Sequence, residues 1–252
     1  MSVTALETTG TDPVWQARVD LAAAYRLAAH FGWSEGICNH LTLMVPGTDD
    51  RFLLIPYGLH WSEVTASNLI MVDFDGNLIE GEGEAETTAF CIHAPLHRHL
   101  PQAACVLHTH QPNISAFCAI EDGRIEPVIQ SSIRFYGHIA YDDDYAGLAL
   151  DSSEGDRLAQ VIGDKEVLMM RNHGVIVVGP TVSQAVDALY YLDRACDLQL
   201  KAMSSGRPLR PASDNMARHA NQQIMPQVPD SSARHFASLK RLLDRVDPGY
   251  DA

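Results

Sequence analysis

The segment "EVLMMRNHGVIVVGP", residues 166–180, constrains the fold more than any other. Two apolar runs of strand character flank the polar turn Arg171-Asn172-His173-Gly174. It feeds directly into "TVSQAVDALYYLDRACDLQLKAMSSG", whose apolar residues recur at helical spacing between Thr181 near its start and Gly206 at its end. The same alternation runs through the chain. "VWQARVDLAAAYRLAAHFGW" predicts a helix that stops at Gly32, and "HLTLMVPG" and "RFLLIPYG" predict strands closed by turn residues. "SNLIMVDFDGNLIEGEGE" predicts a strand pair that turns at Asp75-Gly76. "AETTAFCIHAPLHRHL" is expected to be a helix with Thr87 or Thr88 as its cap and Pro101 as its stop. "AACVLHTH" follows as a short buried strand, with a helix after Pro112, a strand region in "VIQSSIRFYGHIAY" and a helix in "SSEGDRLAQVIG". Mixed helices and strands of this kind specify an α/β domain with one core. Residues 206–252 read as a C-terminal arm, polar and proline-punctuated, that needs a neighbour to order it. Its last amphipathic piece, "SSARHFASLKRLLDRV", is suited to dock on the body or on another subunit.

Composition excludes several functions. A chain of 252 residues with 46% apolar and 20% charged residues can bury one sizeable core. A formal charge of -14 argues against a nucleic-acid partner or an anionic membrane surface, both of which need basic patches. No apolar stretch is long enough to span a bilayer. The start, "MSVTALETTGTDPVWQAR", lacks a basic region followed by an apolar core, so a cytoplasmic location is expected. Cys38, Cys91, Cys105, Cys118 and Cys196 are odd in number, widely spaced and form no CxxC pair. They read as reduced thiols, mostly buried.

The chemistry starts at "ACVLHTHQPNIS", residues 104–115. Residues two apart in a strand point the same way, so His108 and His110 can present two imidazoles to one cation. Among twelve histidines such a pair carries limited weight by itself. His173 adds a third candidate, in a turn beside Gly174, which permits close backbone approach. Three imidazoles bind a divalent metal and leave positions open for substrate: zinc first, with Fe2+ or Mn2+ as alternatives. Cys105 lies three residues before His108, but its apolar setting favours packing. His93, His97 and His99 form a second cluster. His93 and His97 share a helix face, and hydrogen bonding there is favoured over a second metal.

Taken in order, "YRLAAHFGWSEGICNHLT", "FLLIPYGLHWSEVTASNLIMVD", "VLHTH", "LMMRNHGVIVVG" and "RACDLQLKA" resemble the class II aldolase/adducin family over about residues 14–205. The resemblance implies a three-layer α/β/α domain around a mostly antiparallel central sheet. It also implies metal binding by His108, His110 and His173, and a homotetramer with sites at subunit interfaces. There are departures. Where the family's sugar-phosphate aldolases carry Ser-Ser-Glu, this chain has Thr87, Thr88 and Ala89, so the usual carboxylate is missing. Glu86, or Glu84, lies just upstream, and Glu86 is the candidate base. At the family's phosphate-binding loops Asn39 is kept, Cys38 replaces a glycine, and Tyr57 replaces a small hydroxyl residue before Gly58. Asn39, His40, Gly58, Thr87 and Thr88 are the substrate-binding candidates, with Tyr57 and His60 as added polar groups. The implied activity is a metal-dependent lyase. It would cleave or decarboxylate a small hydroxy or oxo carbonyl substrate through a metal-stabilised enolate. A non-heme iron oxygenase and a non-catalytic, adducin-like structural protein are the alternatives. The presence of all three histidines argues against the last.

Overall fold

Asp12 sets the first helix: its side chain accepts from the Val14 amide at 3.0 Å, and Pro13 supplies a pre-formed first turn. The computed structural model describes residues 12–145 and 147–252, so the polar lead before Asp12 lies outside the described residues. The strands are β1 (His40–Met44), β2 (Arg51–Leu54), β3 (Ile70–Asp73), β4 (Leu78–Glu80), β5 (Cys105–Thr109), β6 (Ile139–Asp142), β7 (Val167–Met170) and β8 (Val175–Gly179). They form one sheet in the order β4-β3-β2-β1-β5-β8-β7-β6. Every strand pair is antiparallel except β6 with β7. The helices are α1 (Pro13–His30), α2 (Thr87–His99), α3 (Pro112–Cys118), α4 (Gln130–Ile133), α5 (Ser152–Ile162), α6 (Val182–Met203), α7 (Asp214–Ile224) and α8 (Val228–Val246).

Alternation along the strands divides the core in two. Leu41, Cys105, Leu107, Val175 and Val177 join α1, α3, α6 and α8 on one face. Val106, Leu168, Ile176 and Val178 join α2 and α5 on the other. That is the expected three-layer α/β/α arrangement around a mostly antiparallel sheet. The two inner helices of the second face touch closely. A Cβ on Gly155 of α5 would lie 2.3 Å from the Cys91 carbonyl of α2, so only glycine fits there.

Two local expectations are corrected. The cap of α2 is Glu86, not Thr87 or Thr88: its longer side chain reaches back to the Ala89 amide at 2.8 Å. The region expected as strand around Gln130 opens instead with the helical turn α4, and only Ile139–Asp142 is strand. There the Ser132 hydroxyl accepts from the Ile129 amide and donates to its carbonyl, which diverts both groups from a sheet ladder. Of the two placements open to the last helix of the arm, docking on the body is the one seen. Phe236, Leu239 and Leu243 of α8 are buried against the body, and Lys240 pairs with Asp20 at 2.7 Å. Arg26 of α1 closes the same face on Asp247 at 2.8 Å. No helix among the described residues is long and apolar enough to cross a membrane.

Candidate metal centre

Strand register assembles the site. His108 near the end of β5 stands opposite His40 of β1, and both point to the α2/α5 face. His110 follows one residue past the end of β5, and His173 sits in the tight turn between β7 and β8. The three rings gather with centroids 4.7–4.9 Å apart. One nitrogen from each lies within 4.8 Å of the other two, and no other such cluster occurs among the described residues.

Hydrogen bonds on the outer ring nitrogens fix what the inner ones can do. His108 Nδ1 donates to the Val175 carbonyl at 3.0 Å, and His110 Nδ1 donates to the Glu35 carboxylate at 2.7 Å. With both rings neutral, each Nε2 carries a lone pair, and the two face each other at 3.2 Å. Two acceptors at that separation repel unless a metal ion or a shared proton lies between them. Imidazoles bound at 2.0–2.1 Å to a tetrahedral or octahedral metal place their nitrogens about 2.9–3.4 Å apart, so the pair fits. Burial, then the adjacent His173 and His110, pushes His108 well below its ordinary value. Burial, followed by the neighbouring His110, holds His173 down to about 4. The neutral, metal-binding form is the one this environment favours.

The turn that carries His173 explains the Asn-His-Gly sequence. Asn172 takes the left-handed conformation at φ 56°, and its amide donates to the Cys118 carbonyl. Gly174 passes so close to the HxH segment that a Cβ would sit 2.5 Å from both His110 Cδ2 and the Thr109 carbonyl. Arg171 and Asn172 are turn residues, as expected. Cys105 alternates to the opposite face of the sheet and is no ligand.

Glu86 lies beside this centre with its Oε2 surrounded by donors. The Ala89 amide donates at 2.8 Å, the Thr88 hydroxyl donates to the same oxygen, and His40 Nε2 approaches it at 3.2 Å. Partial burial would raise the carboxyl, but bonds from His40, Thr88 and Ala89 outweigh it and bring it to about 2. Glu86 is therefore an anion held by three donors, and a weak proton acceptor.

The second histidine cluster is a hydrogen-bonded stack. His97 Nδ1 donates to the Ala103 carbonyl at 2.6 Å, so its Nε2 accepts from the Thr42 hydroxyl at 2.7 Å. Thr42 in turn accepts from His93 Nδ1 at 2.7 Å. Both rings are buried, and burial brings His97 down to about 4. His93 then packs its edge on His40, with ring centroids 5.3 Å apart. His99 leaves the cluster and pairs with Asp156 at the surface.

A cavity of about 260 Å³ opens over the three histidines. Asn39, His40, Glu86 and Thr88 line it, as does Tyr57. Thr87 is exposed at the start of α2 and lies outside the lining, as do Gly58 and His60. Glu84 is exposed and outside it too. Sequence reasoning missed Glu35, Ile92, Tyr145, Leu148, Glu154 and Leu158, all of which line the cavity. Glu35 gave no local sign: it reaches His110 across 75 positions of sequence.

Residues 19–200 match the family model described as the Class II Aldolase and Adducin N-terminal domain. A protein of Caulobacter vibrioides with a provisional aldolase class 2 name is 37% identical, over 94% of this chain and 92% of its own length. The crystal structure of an aldolase II superfamily protein from Pseudomonas syringae superposes with a TM-score of 0.88 at 36% identity, covering 97% of this chain and 98% of that one. Alpha-adducin of Rattus norvegicus is 35% identical over 91% of this chain, which spans 33% of the adducin. With its fold, its histidine cluster and these relatives in agreement, the chain belongs to the class II aldolase/adducin family.

Proposed function

We propose that this protein is a metal-dependent lyase. It breaks a carbon–carbon bond, by aldol-type cleavage or decarboxylation, beside the carbonyl of a small hydroxy or oxo compound. The observation that carries this reading is the pair of Nε2 lone pairs, on His108 and His110, facing each other at 3.2 Å under a cavity of substrate size. Zinc is the proposed ion, because the cluster offers three imidazole nitrogens and, among the described residues, no carboxylate. When bound it supplies Lewis-acid polarisation of the substrate carbonyl. The protein's own residues supply the rest. The Val175 carbonyl and Glu35 hold two of the imidazoles in the binding tautomer, and the cavity wall sets the substrate's approach.

Glu86 is the nearest replacement for the carboxylate absent at Ala89, and the sequence reading makes it the candidate base. Its three donors weaken it in that role. The reaction it suits is one that asks little of a protein base, such as loss of carbon dioxide from a 3-oxo acid. A homotetramer in the cytoplasm, acting on a small molecule, completes the proposal.

The likeness to alpha-adducin supports a second reading, a non-catalytic interaction domain. Metal analysis of the purified protein and of His173→Ala, run with oxygen uptake and carbon dioxide release from a panel of 3-oxo acids, separates the readings. Stoichiometric metal, lost in the variant, together with carbon dioxide release and no oxygen uptake is expected. Full metal content in His173→Ala would sink the three-histidine site. A metal-free, inactive wild type would favour the interaction domain, and oxygen consumption would favour an oxygenase.

A further inference from the structure

We infer that Glu86 is a built-in anion that fills the α2 entrance and bars phosphorylated substrates, so that the compound turned over here is uncharged and apolar away from the metal. This rests on the metal-lyase reading above. The N-terminus of a helix is a ready anion site, because its first amides have no partner within the helix. In this protein one of those amides and two side-chain donors beside it are already engaged: the Ala89 amide, the Thr88 hydroxyl and His40 Nε2 all converge on one oxygen of Glu86. A substrate phosphate entering there would meet a fixed negative charge and no free donor among these three.

The rest of the wall agrees. Among the described lining residues there is no lysine or arginine, and three carboxylates are present: Glu35, Glu86 and Glu154. Glu154 is bonded by Arg157 at 2.7 and 2.8 Å from outside the lining, but the same guanidinium also holds both oxygens of Asp142, so the charge there is only partly compensated. Ile92, Leu148, Ala149 and Leu158 supply an apolar side. A wall of this composition solvates an alkyl or other uncharged group and rejects a dianion. Capping α2 is a sufficient purpose for Glu86 by itself, and the test must separate that purpose from exclusion.

Two hydroxamates of equal length serve as probes, each able to chelate the metal, one ending in an alkyl group and the other in a phosphate. Their affinities are measured by calorimetry on the metal-loaded wild type, Glu86→Ala and Glu86→Gln. Gln keeps a capping acceptor and removes the charge, so it stands in if the Ala variant fails to fold. In the wild type the alkyl probe should bind at least about tenfold more tightly, since like-charge juxtaposition is strongly unfavourable. In the variants that preference should shrink or reverse. Tighter binding of the phosphate probe to the wild type, or an unchanged preference in a folded variant, overturns the inference. If neither probe binds the wild type, the metal reading fails instead. Inorganic phosphate on the metal-stripped protein then decides the inference alone. Affinity gained on replacing Glu86 supports it, and equal affinity overturns it.

Discussion

Single atoms decide how well this centre is held. Thr42 is the sharpest case, because its one hydroxyl donates to His97 and accepts from His93 where all three side chains are buried. Thr42→Val keeps the shape and strands two imidazole nitrogens. We expect a loss of about 1–3 kcal/mol, the cost of a buried polar group left without its partner. Chemical denaturation checks it, and an unchanged midpoint would show that the stack contributes nothing. Gly174 is the second case. A methyl group there collides with the ring of His110 and with the Thr109 backbone, each 2.5 Å away. Gly174→Ala should therefore release metal, since the backbone has to move away from the HxH segment. Metal content after dialysis reads this directly, and full retention in a folded variant would contradict it.

At the scale of elements, α2 links stability to the site. Its cap is the same Glu86 carboxylate that faces the cavity. The carboxyl sits at about 2 in the folded chain, against an ordinary value of 4.5. The unfolded chain thus takes up this proton first. The contribution of Glu86 is complete above pH 4.5 and is lost as pH falls towards 2. His97 acts earlier by the same sign: neutral when buried, it loses its contribution between pH 6.5 and about 4. Acid unfolding should therefore begin while Glu86 is still ionised. Glu86→Gln should flatten the fall below pH 4.5 and leave the part above it in place. Unfolding midpoints measured across this pH range test the assignment, and identical curves for the two proteins would refute it. The sheet makes its own contribution at this scale, since the His40 to His108 register sets the histidine stack beside the metal triad.

For the whole molecule the question is assembly. Leu148 and Leu150 are 75% and 71% exposed, and Tyr145 and Tyr57 are also solvent-facing close to the cavity mouth. Large apolar groups gathered beside a site call for a partner surface. We predict a homotetramer at micromolar concentration by light scattering, and a monomer there would rule it out. The C-terminal arm bears on this too. Its last amphipathic piece was suited to dock on the body or on another subunit, and Phe236, Leu239 and Leu243 pack on the chain's own α1 and α6 face. What the sequence determined by itself was periodic: strands of period two put His108 and His110 on one face, and caps and glycines marked most helix ends. Asn-His-Gly declared its turn for the same reason, because backbone sterics act over a few residues. Only the tertiary structure decided that Glu35 would orient His110, that Glu86 would meet His40 from 46 positions away, and that α8 would close on α1. Those contacts depend on how the whole sheet brings separate segments together, and no local pattern encodes a partner that distant.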